Sequence, residues 1–301
     1  MLQLKKEKIH PENIKTIPSC EDFTLEFSEG KSAPIMMLAS FFKSEGIEHF
    51  AVLDYNCCIS TAPHIMEREP FTPRSVIIYL LPYYVSDGEN LSTYATSLDY
   101  HIAIGEVNCR LQQTLLSSYP DASVKGYGDH SPIDERHAAL IGGLGVLGKN
   151  GLLINETYGS YCFIGDMITD IPPALLGSIA PQPVRSCRGC GACLAACPTG
   201  ILRGEGGYCL SFATQQKGEL TPEAIALMRS CNTVWGCDEC QRHCPHNHSP
   251  KPTPIPFFHR DRITLLTTSR LATLDRAALR AQAFGWRGRE VLLRNLAHLD
   301  Y

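Results

Sequence analysis

The sequence predicts an α+β fold, in which a sheet-containing N-terminal part precedes a cysteine-rich part and a helical C-terminal segment. Three observations support this prediction. Runs rich in Val, Ile, Tyr and Phe alternate with helical patterns between residues 49 and 168, which is typical of a domain that packs helices on a sheet. Two Cys-Pro runs occupy residues 187–245, and the chain beyond Pro256 has helical spacing to its end. We therefore expect domains at residues 1–175, 184–255 and 256–301.

Residues 1–48 consist of polar segments around the apolar stretch Ala33 to Phe42, for which we predict a helix. A longer helix is predicted at Tyr100 to Ser118, where apolar residues follow helical spacing. The proline-rich segment Ile171 to Pro183 forms the expected boundary with the cysteine-rich part. Strands of one α/β sheet are predicted, in chain order, at His49–Tyr55, Ser75–Tyr84, Ala122–Tyr127, Gly151–Asn155 and Tyr161–Ile168.

The segment Gly143 to Gly148 matches the dinucleotide-binding pattern GxGxxG. The context argues against that function, because the pattern requires a preceding strand and Asp134 to Ile141 looks helical. Extended to Lys149, the segment also matches a phosphate loop up to its last position, where Asn150 stands instead of Ser or Thr. We therefore expect these glycines to permit a close approach of backbone segments.

The most specific pattern is Cys187-x2-Cys190-x2-Cys193-x3-Cys197-Pro198, the run by which bacterial-type ferredoxins hold a four-iron cluster. The fourth cysteine of such a run binds a second cluster, so one run implies another. The partner run is Cys237-x2-Cys240-x3-Cys244-Pro245. We therefore predict a ferredoxin-like domain with two [4Fe-4S] clusters, the first of them held by Cys187, Cys190, Cys193 and Cys244.

The second cluster needs one ligand from outside the two runs, because Val234 stands where the first cysteine of the second run would fall. The candidates are Cys209 and Cys231. We favour Cys209, because it follows the first run closely and the segment around it can fold back, but spacing alone leaves both open. The ligands that the runs themselves provide for this cluster are Cys197, Cys237 and Cys240.

Structural zinc and disulfides are the alternative uses of these cysteines. Zinc sites use separate CxxC pairs and need neither a third cysteine at this spacing nor the Cys-Pro turn. A disulfide framework suits small secreted chains, whereas this chain has 301 residues and opens with MLQLKKEK, which has no apolar signal core. We therefore expect a cytoplasmic protein with reduced thiols. The cysteines left over, expected to be buried packing residues, are Cys20, Cys57, Cys58, Cys109, Cys162 and Cys231.

The composition limits the classes of partner. Hydrophobic residues make up 44% of the chain, enough for a substantial core. The sequence has no run of about 18 apolar residues, so no membrane span is predicted. The net charge of −4 gives no overall attraction to nucleic acid. The region from Lys251 to Asn295 is nevertheless basic, with nine Lys or Arg against three acidic residues. This pattern fits either a surface that faces a phosphate backbone or a solvated helical face.

Two polar groups are candidate catalytic residues. Asp129 follows a predicted strand, where a carboxyl group can point into a cleft and donate a proton if desolvation raises its pKa. The alternative is that Asp129 caps the following helix. The second group, Asp99-Tyr100-His101, opens the long predicted helix, and a capping role is again the alternative.

An ordered set of motifs accompanies the cysteine runs from about residue 50 to the end of the chain. They are Tyr94-Ala95, Asp99-Tyr100-His101, Asp129-x2-Pro132-x2-Glu135-Arg136, Gly143 to Ile154, Tyr158-Gly159-Ser160, Gly165, Thr169-Asp170, Cys209-x-Ser211 and Trp286 to Val291. Together these motifs resemble those of the epoxyqueuosine reductases, which are cobalamin and iron–sulfur enzymes related to reductive dehalogenases.

The resemblance implies a base-off cobalamin held between the N-terminal domain and the two clusters. It also implies removal of the epoxide oxygen of epoxyqueuosine in the tRNA anticodon loop, giving queuosine. Asp129 matches the proton-donating aspartate of the family, and Cys209 matches its additional cluster ligand. The residues expected on the substrate side are Asp99, Tyr100 and His101. The residues expected on the corrin side are Lys149, Asn150, Ser211 and Gln215.

We further expect an electron donor such as a flavodoxin or ferredoxin, and, from the absence of a long apolar stretch, no membrane partner. Many family members continue into a helical repeat module that helps to grip tRNA, and we expect this chain to be a short form that ends without it at Tyr301. A free queuosine-like nucleoside is therefore an alternative substrate. Thr93 and Asp134 also depart from the family, which usually has arginine and an apolar residue at these positions.

Two other functions are alternatives to epoxide reduction. One is reduction of another small molecule, as in the dehalogenases, and the other is electron transfer or corrinoid reactivation without a substrate of its own. Asp129 discriminates between them, because deoxygenating an epoxide requires two electrons and protonation of the departing oxygen. An electron carrier needs no such proton donor.

Overall fold

The computed structural model describes residues 34–205 and 207–299. Its strands are β1 (Phe50–Asp54), β2 (Ser75–Pro82), β3 (Val124–Tyr127), β4 (Val146–Leu147), β5 (Leu153–Ile154) and β6 (Cys162–Thr169). The main sheet is antiparallel and has the order β1-β2-β6-β3. The short strands β4 and β5 form a separate antiparallel pair.

Several helices of the described residues start at side-chain caps, and single 3-10 turns connect several elements. Asp99, Asp134 and Thr221 each accept a hydrogen bond from a backbone N–H in the first turn of the helix that follows. Among the described helices, none combines the length and apolar character that crossing a lipid bilayer requires. The helices are α1 (Pro34–Ser44), α2 (Pro63–Met66), α3 (Tyr100–Ser118), α4 (Glu135–Ile141), α5 (Ala192–Ala195), α6 (Leu210–Gln215), α7 (Pro222–Ser230), α8 (Glu239–Arg242), α9 (Thr268–Thr273), α10 (Arg276–Ala281) and α11 (Arg289–Leu299).

The central strand β2 organises the main core, since all its residues are buried. Successive side chains of a strand point to opposite faces. Ile77, Tyr79 and Leu81 pack with α1 and α3 on one face, and the alternate residues from Val76 to Leu80 pack with α4 on the other. Helices therefore cover both faces of an antiparallel sheet, which confirms the predicted α+β class.

The C-terminal helices form a second core around the fully buried Trp235. This residue packs with Leu91 from the N-terminal part and with Phe284 and Leu292 from the C-terminal helices. The 3-10 turn Pro256–His259 contributes its buried phenylalanines to the core of the sheet instead. The helical character expected after Pro256 is confirmed, whereas the three domain boundaries stay predictions.

Most of the predicted elements are found where the sequence indicates. The helix at Tyr100 to Ser118 is confirmed as α3, and β1, β2, β3 and β6 confirm the strands predicted in those regions. The apolar helix is described from Pro34 onward, and residues 1–33 lie outside the described part of the chain.

The strand predicted at Gly151–Asn155 is present as the short β5, but its assignment to the main sheet is wrong. Residues Gly151–Asn155 do not join the main sheet, because β5 pairs with β4 in the glycine-rich segment. The reason is the close approach that Gly145 permits, since a Cβ atom at this position would lie 2.6 Å from the carbonyl oxygen of Ile154. The glycines thus supply a local partner strand, as their predicted role in backbone approach suggests.

A polar seam joins the cysteine-rich segment to the N-terminal part, and it consists of Asp238, Gln241 and Asn247 on one side and Ser92 and Ser160 on the other. The Asn247 side chain accepts the Ser160 N–H at 2.9 Å and donates to Ser160 Oγ at 2.8 Å and to the Gln241 carbonyl at 2.9 Å. Gln241 donates to the Ser160 carbonyl at 3.1 Å, and Asp238 accepts from Ser92 Oγ. All five residues are buried.

We expect Asn247→Ala to destabilise the chain. The substitution leaves the buried Ser160 N–H without its partner, which costs roughly 1–3 kcal/mol, and it removes one of the two hydrogen bonds made by Ser160 Oγ and by the Gln241 carbonyl. Thermal unfolding of the cluster-loaded protein, followed by circular dichroism, should show a lower Tm by about 5–15 °C. The matched control is the exposed neighbour His248→Ala. Equal Tm values for the two variants would contradict a stabilising role of the seam.

Candidate functional site

The first predicted cysteine set surrounds one cavity. Cys187, Cys190, Cys193 and Cys244 line one pocket together with Lys149 and Asn150. Burial raises the pKa of Cys193, and the neighbouring thiols of Cys244 and Cys187 raise it further. Three cysteines of the first run therefore face the last cysteine of the second run, as the crossover between two four-iron clusters requires.

The second predicted set also comes together. Burial raises the pKa of Cys240 to about 12, and the nearby thiols of Cys209 and Cys197 contribute to this shift. Burial likewise raises the pKa of Cys237, with contributions from Cys209, Cys231 and Cys240. The protein alone therefore disfavours the thiolate form of Cys237 and Cys240, and cationic iron would stabilise these two ligands in that form.

The positions of Cys209 and Cys231 differ relative to the second set. Cys209 lies at the N-terminal end of α6 and faces both Cys237 and Cys240. Cys231 lies beside Cys237 in a separate pocket that is also lined by Asp238 and Arg242. This geometry favours Cys209 as the fourth ligand, which stays a prediction.

The expectation that the remaining cysteines are all buried is wrong in part. Cys109 on α3 is buried but takes part in a disulfide bond, so it is not the reduced thiol that was expected. Cys58, Cys162 and Cys231 are only partly buried, and Cys57 is exposed. Cys57 ends a 3-10 turn that leaves β1 toward the surface. Cys20 lies outside the described residues.

The catalytic candidates form one hydrogen-bonded group, which we call the acid group and which consists of Asp99, Tyr100, His101 and Asp129. Asp99 Oδ1 lies 2.7 Å from His101 Nδ1, and His101 Nε2 lies 3.4 Å from Asp129 Oδ2. The Tyr100 hydroxyl donates to the same Asp129 oxygen. The imidazole ring thus lies between two carboxyl groups, an arrangement that suits proton transfer.

Capping explains only one of these aspartates. Asp99 accepts the His101 N–H at 2.9 Å and therefore caps α3 in addition to contacting the imidazole. Asp129 does not cap α4, since Asp134 accepts the His137 N–H at that position. The capping alternative for Asp129 is therefore wrong. Asp129 instead follows β3 with a left-handed backbone, at a φ of +64°.

The charge state of Asp129 is set by its partners. The surrounding protein raises the pKa of this carboxyl group by removing water, but hydrogen bonds from His101 and Tyr100 outweigh that effect. The pKa of Asp129 therefore lies below its ordinary value, and the upward shift that a resting proton donor would need is not found. The side chain remains 52% exposed, so water or a ligand reaches it.

Three aromatic residues, Tyr100, Phe163 and Tyr94, connect the acid group to α6, the helix whose N-terminal end carries Cys209, and we call them the aromatic bridge. Tyr100 stacks on Phe163 with ring centroids 3.9 Å apart and an angle of 10° between the planes. The rings of Tyr94 and Phe163 pack edge to face, with centroids 6.5 Å apart. Its hydroxyl accepts hydrogen bonds from Gln215 Nε2 at 3.3 Å and from Trp235 Nε1 at 3.0 Å.

The residues predicted on the corrin side occupy two places. Gln215 also donates to Ser211 Oγ at 3.1 Å. Both residues lie on α6, and Ser211 is within one turn of Cys209. Lys149 and Asn150 line the first cysteine cavity. The buried Nδ2 group of Asn150 has no hydrogen-bond partner among the described residues and lies beside Cys240. It is a donor available to a bound group between the two cysteine sets.

Sequence reasoning missed a buried carboxyl pair beneath the acid group. Glu135 on α4 accepts the Asp129 N–H at 2.9 Å and contacts Asp166 on β6. Asp166 is fully buried. The available signal was a charged residue in the middle of the apolar strand β6, since an unpaired buried carboxylate is costly.

Comparisons with known proteins agree with this geometry. Residues 186–247 match a family described as a 4Fe-4S double cluster binding domain, which confirms the predicted two-cluster domain. An epoxyqueuosine reductase from Synechocystis sp. is 31% identical over 244 residues, covering 75% of this chain and 82% of the relative. One from Bacillus cereus is 34% identical over 217 residues, covering 66% of this chain and 54% of the relative. The chain spans about half the length of several relatives that it matches.

Solved structures of epoxyqueuosine reductases have the same fold. A selenomethionine-labelled enzyme gives a TM-score of 0.71 at 23% identity and covers 88% of this chain and 80% of that one. A second structure, with an epoxyqueuosine-modified tRNA stem loop, gives a TM-score of 0.70 at 23% identity with the same coverage.

We expect Cys209→Ser to lower the iron and sulfide content after anaerobic reconstitution, from that of two clusters toward that of one, because a cluster with three thiolate ligands is labile. Chemical iron analysis and electron paramagnetic resonance of the reduced protein measure this loss. Cys231→Ser is the matched control and should retain both clusters. The assignment is overturned if Cys231→Ser loses the iron and Cys209→Ser keeps it.

Proposed function

The chain belongs to the epoxyqueuosine reductase family, and we propose that it removes the epoxide oxygen of epoxyqueuosine in a tRNA anticodon loop. The observation that carries this proposal is the continuous contact between the acid group and α6 through the aromatic bridge. This contact joins a group that transfers protons to a group that transfers electrons. A protein that only carries electrons has no need of the first.

The proposed reaction defines what the chain must supply. Removing the oxygen of an epoxide produces an alkene and water, and it consumes two electrons and two protons. Two [4Fe-4S] clusters that each transfer one electron provide the electrons in sequence. We propose Cys187, Cys190, Cys193 and Cys244 as ligands of one cluster. The proposed ligands of the other are Cys197, Cys209, Cys237 and Cys240.

Cobalamin is the proposed second cofactor. When bound, it would supply a cobalt centre reducing enough to open the epoxide. The rim of a corrin carries amide groups, and the donors Lys149, Asn150, Ser211 and Gln215 fit such groups chemically. The unpartnered Nδ2 group of Asn150 is the observation that supports this fit. Asp99, Tyr100 and His101 are proposed to face the substrate.

We propose that Asp129 delivers the proton to the departing oxygen. Its lowered pKa makes it an anion at neutral pH in the resting site, so it gains its proton during the reaction cycle. His101 is suited to pass on that proton, because its imidazole lies between Asp99 and Asp129. A substrate that excludes water from the site raises the pKa of Asp129 toward the donor range.

The exposed arginines of α10 support the proposal that the substrate is polyanionic. The carbonyl group of Ala281, the last residue of this helix, accepts the Asp99 N–H at 2.8 Å. Arg276 and Arg280 are exposed on the same helix, so two cations lie on an element that is tied directly to the acid group. Phosphate groups beside the reacting nucleoside would be attracted to this surface.

An external electron donor is part of the proposal, of the flavodoxin or ferredoxin class, and the cytoplasm is the proposed location because the tRNA substrate is there. Cys190 in the first cysteine set is exposed. A redox partner can therefore approach the first cluster from solvent, and electrons would pass from there to the second cluster.

The proposal is tested by anaerobic reconstitution with iron, sulfide and cobalamin, followed by incubation with epoxyqueuosine-containing tRNA and a strong reductant. Mass spectrometry of the digested nucleosides should show loss of one oxygen atom, dependent on both cofactors. Conversion of the free nucleoside with unchanged tRNA would contradict the tRNA substrate. Failure to bind cobalamin would contradict the proposed cofactor and favour an electron carrier.

We expect Asp129→Asn to reduce turnover by roughly 10²–10⁴-fold, because the amide cannot protonate the leaving oxygen. Reduction of the clusters, followed by electron paramagnetic resonance, should be unchanged. Asp121→Asn is the matched control, since Asp121 is an exposed residue at the other end of β3. Equal turnover of the two variants would rule out Asp129 as the donor.

We expect Arg280→Ala to raise KM for tRNA by roughly threefold to tenfold with little change in kcat, since one phosphate contact is lost. The difference from the unaltered protein should shrink as salt is added. Arg74→Ala is the control, because Arg74 is exposed at the far end of β2. An equal rise in KM for both variants would contradict a specific role of α10.

A further inference from the structure

The side chain of Glu135 holds the backbone of Asp129 through a hydrogen bond. Asp129 is one of few non-glycine residues with a positive φ among the described residues, a conformation that persists only where surrounding contacts favour it. Glu135 Oε1 accepts the Asp129 N–H at 2.9 Å. The side chain of Glu135 is therefore a direct support for the loop that presents the proposed proton donor.

Glu135 is in turn supported by Asp166. Asp166 Oδ2 accepts a hydrogen bond from Ser131 Oγ at 3.0 Å, so this carboxyl group also contacts the Asp129 loop. Its Oδ1 atom is buried and has no hydrogen-bond partner among the described residues, and the Glu135 carboxyl group interacts with the Asp166 side chain. Two carboxyl groups that meet in a buried place need a proton between them.

The surroundings of this pair favour its protonated form. The charged and titratable groups facing it are Tyr79 from β2, Tyr100 from α3, Tyr127 from β3, Cys58 and Asp129, while His101 and His130 face Asp129. The adjacent cation Arg136 donates to the Gly151 carbonyl at 2.6 Å instead. Burial, followed by the charges of Asp166 and Asp129, raises the pKa of Glu135 to about 9, and burial raises the pKa of Asp166 to about 7.

We propose that Glu135 is a positioning residue, and that the Glu135–Asp166 pair with its shared proton is a latch that holds the Asp129 loop in place. The latch deepens the proposed function, on which its catalytic meaning rests. Loss of the shared proton leaves two buried carboxylates in contact, and their repulsion separates α4 from β6 and releases the Asp129 N–H. The proposed donor then loses its position at high pH.

The direction of the pH effect follows from both pKa values lying above their ordinary values. The folded chain binds more protons than the unfolded chain between about pH 4 and pH 9, so the stability that the pair contributes falls as the pH rises through this range. The latch is therefore closed near neutral pH and opens on the alkaline side.

Hydrogen exchange measures the latch directly, because the Asp129 amide is the group that Glu135 binds. We would follow peptides that cover residues 128–131 of the cluster-loaded protein by mass spectrometry between pH 6.5 and 9.5. Rates are divided by those of an unstructured peptide of the same sequence, which removes the intrinsic pH dependence. The variants are Glu135→Gln and Glu135→Ala, with the exposed Glu67→Gln as control.

Protection in the unaltered protein and in Glu67→Gln should fall by about tenfold or more across this range. Glu135→Gln should stay protected at all pH values, because its amide can accept from Asp129 and donate to Asp166 without a titrating proton. Glu135→Ala should lack protection throughout. Protection that is independent of pH in the unaltered protein, or retained in Glu135→Ala, would overturn the latch.

Turnover provides the second readout. Glu135→Gln should remove the alkaline decline of kcat while leaving activity at pH 6.5 within about twofold, and a purely structural role would leave the shape of the pH profile unchanged. Hydrogen exchange needs no substrate. A pH-dependent latch without conversion of epoxyqueuosine would therefore contradict the proposed function alone, whereas conversion without pH-dependent protection would contradict the latch alone.

Discussion

The polar seam between the cysteine-rich segment and the N-terminal part is the interaction on which the site depends. Its members Asp238, Gln241 and Asn247 lie among or just after the cysteines of the second run, so the loops that carry these thiols are fixed directly to the N-terminal part. The seam is buried and polar, and each of its hydrogen bonds has a specific direction. Apolar contacts are non-directional, whereas these hydrogen bonds require specific geometry, so the seam fixes the orientation of the second cysteine run on the N-terminal part.

Local signals explain what the sequence could predict. The buried strand β2 and the helix α3 each have a clear pattern within one segment, and Asp99 marks the start of α3. The cysteine runs were equally informative, because their spacing is specific to four-iron clusters. The aromatic bridge could not be predicted, since Tyr94, Tyr100 and Phe163 come from three segments that meet only in the folded chain. The same holds for the contact between α4 and β6.

The distribution of protons in the site is opposite to that expected from sequence. Asp129, the proposed donor, has a lowered pKa, while the supporting residues Glu135 and Asp166 have raised values. The difference has a geometric cause. Asp129 is half exposed and accepts hydrogen bonds from Tyr100 and His101, whereas Asp166 is fully buried beside another carboxyl group. Asp129 is therefore an anion at neutral pH, and the proposed reaction requires that it gain a proton before it can act as the donor.

The basic C-terminal region shows why a charge bias in the sequence overstates a binding surface. Arg289 donates to the carbonyl groups of Leu271 and Leu274, and Arg294 donates to that of Gln216, so both cations serve to join helices. Exposed arginines remain on α10, which is anchored to the acid group through the hydrogen bond between Asp99 and Ala281. A phosphate backbone bound there would be positioned relative to the reacting carboxyl group by a single short helix. Cations far from this helix would raise affinity without improving that alignment.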